Sequence, residues 1–474
     1  SIREGGGPRM GVSSAAEVRQ LNELELMGHL WRRAGFGATR DELEAALARG
    51  YEATVADLLH PERATDFNED LLCRSFPDFH EARKHDVAQA AWVWRMIHTQ
   101  RPLEEKMVLF WHCLFATGNA KVENPPQMLA QINAFRRVAL SDFRTILVEL
   151  STDPAMLFWL DNQLNTKDVH NENYGRELLE LFSMGIGNYT EDDVKSCARA
   201  FTGWTFAESM PAVKPYGRFR WAFQFRPELH DDGEKEFLGE RGHFDGTDIV
   251  DILVRQPATA QFLAKRLYLF FVADHPDQEA IDHLAQVYHE SHYDLRAMLR
   301  ALFLSPYFRS TQAYYARVKS PAEYVVGLMR LVGDYALPKP GFHEIALECR
   351  YMGQDLMNPP SVEGWHMGKE WIDTGILVER VNFGAKQLGD ISKPGVQRLL
   401  ERLRACPEYS PEALVERCLD LLGPLRVRPK TRAALVNFVR QGGPLRFTPG
   451  DQAADHRVGE LLSLIAATRE FQMA

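Results

Sequence analysis

His112, Glu177, His230 and Asp231 are the side chains whose types could move protons. Imidazole and carboxylate groups that meet can accept and return a proton during hydrolysis or group transfer. Other residues are suited to holding a substrate. Arg33 and Arg176 are candidate anion clamps, His29, Asn173, Lys235 and Lys319 are further polar contacts, and Trp204 and Trp365 could wall a sugar-like ligand. Each has a plainer reading. His112 lies among aromatic and apolar neighbours, where a histidine is commonly a satisfied core residue; it could otherwise be a single metal or haem ligand. Glu105, two helical turns earlier, shares its face and could orient it. Arg33 can equally bind helix-end carbonyls. Lys319 and Glu323 are spaced as an ion pair, and the row His170, Asn173, Glu177 and Glu180 can be a solvated helix face.

Several chemistries lack their signatures. There is no HExxH, paired ExxH or Cys/His cluster, so no metal or cofactor is expected, with a metal or haem on His112 kept as an alternative. GxSxG, P-loop and dinucleotide fingerprints are missing, and Gly35-Phe36-Gly37 is too short for a phosphate cradle. A net charge of −10 argues against broad nucleic-acid binding. No apolar run is long enough to span a bilayer, so membrane insertion is not expected. The six cysteines are scattered without CxxC, which suits a reducing compartment. The first residues lack the apolar core of a signal peptide; the sequence as it stands reads as cytoplasmic, or as periplasmic or secreted if a signal was removed.

Helices must carry these residues. Apolar periodicity predicts helices over Leu21–Arg33, Arg40–Arg49 (capped by Thr39), Glu52–Leu59, Asp86–Thr99 and Leu103–Ala116. The stretch from Val169 to Trp204 reads as a helical hairpin broken at Gly185-Ile186-Gly187-Asn188, with Thr190 capping its second arm. Further helices are expected at Thr247–Arg255, Ala258–Ala273, Gln278–His289, Asp294–Phe303 and Ala322–Tyr335. Between Thr205 and Gly246 the pattern changes. Phe219, Trp221, Phe223 and Phe225 alternate with Arg218, Arg220, Ala222, Gln224 and Arg226, which predicts a small extended or β insertion.

An internal echo shapes the expected architecture. Asp142-Phe143-Arg144 leads to Asp153-Pro154 with the spacing that separates Asp294-Leu295-Arg296 from Ser305-Pro306, and Lys167 and Lys319 lie equally far beyond. The expectation is a mainly α protein: a large helical domain over about residues 20–390, with pseudo-repeated halves near 103–204 and 262–335 and the insertion near 205–246. Residues 391–474 would form a helical extension packed on the same domain. The function expected is acid–base hydrolysis or group transfer on a small-molecule, glycan-like or anionic substrate in a helical cleft. The alternatives are a non-catalytic binding or assembly protein, with a protein partner, and a metal or haem protein.

Ordered motifs carry a resemblance. HLWRRAGFGAT (His29–Thr39), EKMVLFWHCLFATG (Glu105–Gly118), NENYGRELLELFSMG (Asn171–Gly185), ARAFTGW (Ala198–Trp204), HDDGEKEFLG (His230–Gly239), VKSPAEYVVG (Val318–Gly327) and MGQDLMNPPSVEGW (Met352–Trp365) occur in sequence. Together they resemble the bacterial family known as domain of unknown function 1800. That resemblance implies no agreed activity; it points towards envelope or glycan biology. This chain departs from the family pattern at Leu114 and Phe182, where histidines are usual, which weakens any metal site built on them.

Overall fold

The computed structural model describes residues 21–207 and 221–474. The protein is mainly α-helical, as expected, and strands occur among these residues only as short antiparallel pairs. Helix starts follow local chemistry. Asn22, Thr39, Thr190, Asp245 and Ser320 each accept from the amide three residues on, and the acid there returns a bond to the cap amide. These capping boxes satisfy amides that a helix start otherwise leaves open.

One large connected apolar core runs from Met27 to Phe471, with a second, small cluster of Val318, Trp371 and Met473. Within it, the stretches around Asp142 and Asp294 meet. The two aspartates cap helices Phe143–Ser151 and Leu295–Leu304, and they pair with each other across an isolated antiparallel bridge. Phe143 N donates to Tyr293 O at 2.9 Å and Leu295 N to Ser141 O at 3.3 Å. Each helix is followed by a capped, proline-started turn, at Asp153-Pro154 and Ser305-Pro306. The lysines beyond them differ: Lys167 is exposed, whereas Lys319 is half-buried.

The central motif departs from a regular helix. Helix Asn173–Glu177 widens into a π-helix over Leu178–Ser183. The Ser183 hydroxyl donates to Leu178 O, and Met184 N and Gly185 N both reach Leu179 O. The wider turn lets Leu178, Leu179, Phe182 and Ser183 all enter the core.

In the insertion, strand Trp204–Ala207 pairs with Ala222–Phe225, Trp204 opposite Phe225, and Lys235–Phe237 pairs with Glu240–Gly242. Arg218, Phe219 and Arg220 lie outside the described residues. The expected alternation does not sort into a buried and a wet face, because Ala222–Phe225 is exposed throughout. Strand Trp204–Ala207 takes the position against the helical body, leaving its partner outermost. Gly203 is required at the entry: its φ is +77° and a Cβ would stand 2.5 Å from Arg226 O. No helix among the described residues is long and apolar enough to cross a membrane.

Candidate functional site

Ser320 starts helix Pro321–Val332, and its capping partner Glu323 becomes the hub of a buried polar network. Arg317 donates to both Glu323 oxygens, at 2.9 and 3.1 Å, Ser320 N donates at 2.7 Å, and the Lys106 ammonium pairs with the same carboxylate. Burial pushes the Glu323 carboxyl up, but Arg317 and Lys106 more than reverse this and hold it well below the usual range. Lys106 also donates to Gly35 O at 2.8 Å, at the end of helix Glu23–Ala34, where a cation suits the helix dipole. Burial still lowers its ammonium to about 8.

Arg33 is fully buried in the same region. It donates to Phe271 O and Val272 O, where helix Pro257–Phe271 ends, and to Ala313 O and Ala474 O at 2.6 Å each. All four partners are main-chain oxygens, the arrangement of its plainer reading, and none is a side-chain carboxylate. His29 is equally enclosed. Its Nε2 donates to Phe308 O at 3.0 Å, and burial, then Arg33 and Arg32, drive its pKa well down.

Arg32, adjacent in sequence, differs. It is 9% exposed, its guanidinium lies over the Tyr314 and Tyr315 rings, and one nitrogen donates to Gly423 O. Its Nε and Nη2 are buried and have no hydrogen-bond acceptor among the described residues. Arg32 lines a partly open cavity of about 70 Å³ together with Phe36, Leu328, Leu331, Leu422 and Lys319. Lys319 Nζ donates to Phe471 O at 2.8 Å and lies 4.8 Å from that ring's centre. The expected Lys319–Glu323 ion pair is not made, because Arg317 and Lys106 occupy the carboxylate.

The expected acid–base groups lie elsewhere. His112 is fully buried between Trp92 and Trp365, each ring centre 5.2 Å away. Its Nε2 accepts from Met357 N at 2.9 Å, so the neutral ring carries its proton on Nδ1, which has no partner. Burial lowers its pKa to about 3. His112 is thus a latch on the loop Met352–Trp365, where Met357 holds a φ of +60°, and not an exposed base. Glu105 does not orient it; that carboxylate takes Trp92, Arg95 and Arg136.

His230, Asp231 and Lys235 do gather, around the turn after Thr202. His230 Nδ1 donates to Thr202 O at 2.9 Å. Asp231 takes Arg199 at 2.7 and 3.2 Å and Gly233 N at 2.8 Å, with Arg199 first among the causes that hold its carboxyl at about 2. Lys235 donates to Asp231 O and Gly233 O, and burial lowers its ammonium. A carboxylate so committed makes a poor proton acceptor at neutral pH. Trp204 is buried against Phe201 and Phe223 instead of forming an open wall. Asn173 is exposed, and Arg176 is bound to Glu172 and Glu191 on the outside. Glu177 is half-buried, and burial, then Glu180, raises its carboxyl. No group of three or more possible metal ligands occurs among the described residues.

The sequence model of the family described as Protein of unknown function (DUF1800) matches residues 29–473. The chain belongs to that family. No curated protein and no solved structure matches it.

In this DUF1800 chain the motifs converge structurally more than chemically. HLWRRAGFGAT supplies Arg32, Arg33 and the Gly35 carbonyl, EKMVLFWHCLFATG supplies Lys106, and VKSPAEYVVG supplies Lys319 and Glu323. Gln354, from the loop motif, accepts from Ala322 N at 2.9 Å. Of the site residues expected from sequence, only Lys319 lines the cavity. Arg32, which lines the cavity, and Arg317, which grips Glu323, were not among them. The available signals were the Arg32-Arg33 doublet and the Ser320-to-Glu323 capping box, which fixes where the carboxylate must stand.

Proposed function

We propose that this protein binds a small anionic ligand in the cavity beside Arg32 and Lys319, and that its buried polar network is the scaffold for that cavity. The observation carrying this reading is Arg32: a buried guanidinium with two nitrogens lacking an acceptor among the described residues, on a residue that lines a cavity together with a lysine that has no carboxylate partner among them. Buried charge is costly unless it is paired. A carboxylate, phosphate or sulfate group would supply the acceptors, and guanidinium suits such planar or branched oxyanions. The cavity volume of about 70 Å³ is roughly twice a water's share of liquid volume, so it fits a ligand of few heavy atoms or the charged end of a longer one. Hydrolysis through His112 and His230 is less well supported, since His112 is enclosed and His230 belongs to a separate cluster.

Calorimetric titration with acetate, phosphate and sulfate, on the wild type and on Arg32→Met, tests the proposal. One of these anions should bind the wild type, and the variant should bind it about tenfold more weakly or worse, the scale of one charge-assisted hydrogen bond. Equal affinity in both proteins, or no binding to the wild type, would overturn it.

A further inference from the structure

Lys319 is the chemically unusual member of the cavity. Its backbone is clamped on both sides: its amide donates to Gln472 O at 3.1 Å, and its carbonyl accepts from Arg380 Nη1 at 2.9 Å. The next residue caps helix Pro321–Val332, so the stretch has little freedom. The side chain donates to a single carbonyl, that of Phe471, and Lys319 and Phe471 both line the cavity. Lys106 and Lys235 are different. Lys106 is paired with Glu323, and Lys235 donates to two carbonyls of its own turn. Glu323, which also borders the cavity, cannot serve Lys319, because Arg317, Lys106 and the Ser320 amide already fill it.

We infer that Lys319 forms an imine with a small 2-oxo acid, whose carboxylate pairs with the Arg32 guanidinium across the cavity both residues line and whose carbonyl carbon meets the Lys319 amine. This rests on the cavity being an anion site and goes beyond it by naming the ligand class. The amine's surroundings favour its neutral, nucleophilic form: burial first, then Arg32 and Arg380, and also Lys106, drive the ammonium well below its ordinary value, against a weaker opposing pull from Glu323. A desolvated lysine beside other cations is a recognised way of activating an amine towards carbonyls. The step balances without an oxidant or reductant. The nitrogen lone pair adds to the carbonyl carbon, giving a carbinolamine. Its oxygen then leaves as water, carrying both protons that the neutral amine brought, and a C=N bond replaces the C=O bond.

The test is reductive trapping on the full chain. Glyoxylate or pyruvate is added with sodium borohydride, and the modified lysine is located by peptide mass mapping. The expected result is an adduct concentrated on Lys319, absent from that position in Lys319→Arg, suppressed by excess lactate (the same carboxylate without the ketone) and much reduced in Arg32→Met. Labelling spread evenly over surface lysines, or undiminished by lactate, would overturn the inference even if Lys319→Arg failed to fold. Saturable acetate binding without any trapping would defeat the imine alone and leave the anion site standing. If acetate, phosphate, sulfate and the oxo acids all fail to bind, both readings fall.

Discussion

Arg32 and Arg33 are neighbours in the chain, yet Arg33 gives both terminal nitrogens to four main-chain oxygens, leaving only Nε without an acceptor among the described residues, while Arg32 leaves both Nε and Nη2 without one. Successive residues on a helix point about 100° apart, so a doublet sends its members to different surroundings. The sequence displayed both guanidinium groups, and their separate roles depend on partners hundreds of positions away. His112 shows the same limit. Its type suggested a base, but the Met357 amide makes it an acceptor in a closed space. Changing His112 to Ala should therefore cost about 2–4 kcal/mol of stability, from the cavity left and the amide stranded. It should leave anion affinity at the Arg32 cavity unchanged, since His112 does not line it. Denaturant unfolding and calorimetric titration on the same variant would check both halves.

Elements were more legible than sites. Thr39 and Thr190 were readable as caps, and their helices begin where those side chains accept from the third amide on. The π-turn at Leu178–Ser183 was not readable, because the apolar pattern fits an α-helix nearly as well and the core decides between them. A cap also supplies a pH test. Asp153 starts helix Pro154–Trp159, accepting from Met156 N and Gln131 Nε2, and burial pushes its carboxyl up to about 7. The unfolded chain should titrate this group near about 4, so between these values the folded state binds the proton more tightly. Its share of stability is then greatest at the acid end and is lost as pH rises through the folded value. Asp153→Asn keeps an acceptor for both bonds and removes the titration. Its stability relative to the wild type should improve as pH rises from about 4 to about 7. Paired denaturation series across that range would read the difference, and a parallel offset at every pH would contradict it.

At the scale of the molecule, charges from the first and last quarters are stitched together. Glu25 meets Arg426, Arg40 meets Asp420, and Arg402 meets Asp41 and Glu44. Helix Thr374–Gly389 packs along Ala453–Ala466 closely enough that a Cβ on Gly384 would reach 3.1 Å from the Ala466 Cβ. The core is continuous through this region. A chain cut after residue 390 should therefore lose native near-ultraviolet dichroism, while the full chain melts in one cooperative calorimetric transition. A folded, soluble 21–390 fragment would show that the later helices are a separate unit. The helical class was visible in composition and periodicity, whereas the echo around Asp142 and Asp294 gave spacing alone and not their meeting in a bridge. The cavity was not, because its walls come from stretches with no sequence proximity.

Arg33 donates to an oxygen 441 positions further along the chain. Residues 471–474 also hold Lys319 through Phe471 and bridge Val318 through Met473. During synthesis, helix Glu23–Ala34 must therefore wait for the full set of Arg33 acceptors until residue 474 has been made. Contacts this remote are slow to close, and partial chains carrying unmet charge and open apolar faces are prone to wrong association. Lys319 likewise gains the Phe471 carbonyl only after 152 further residues have been made.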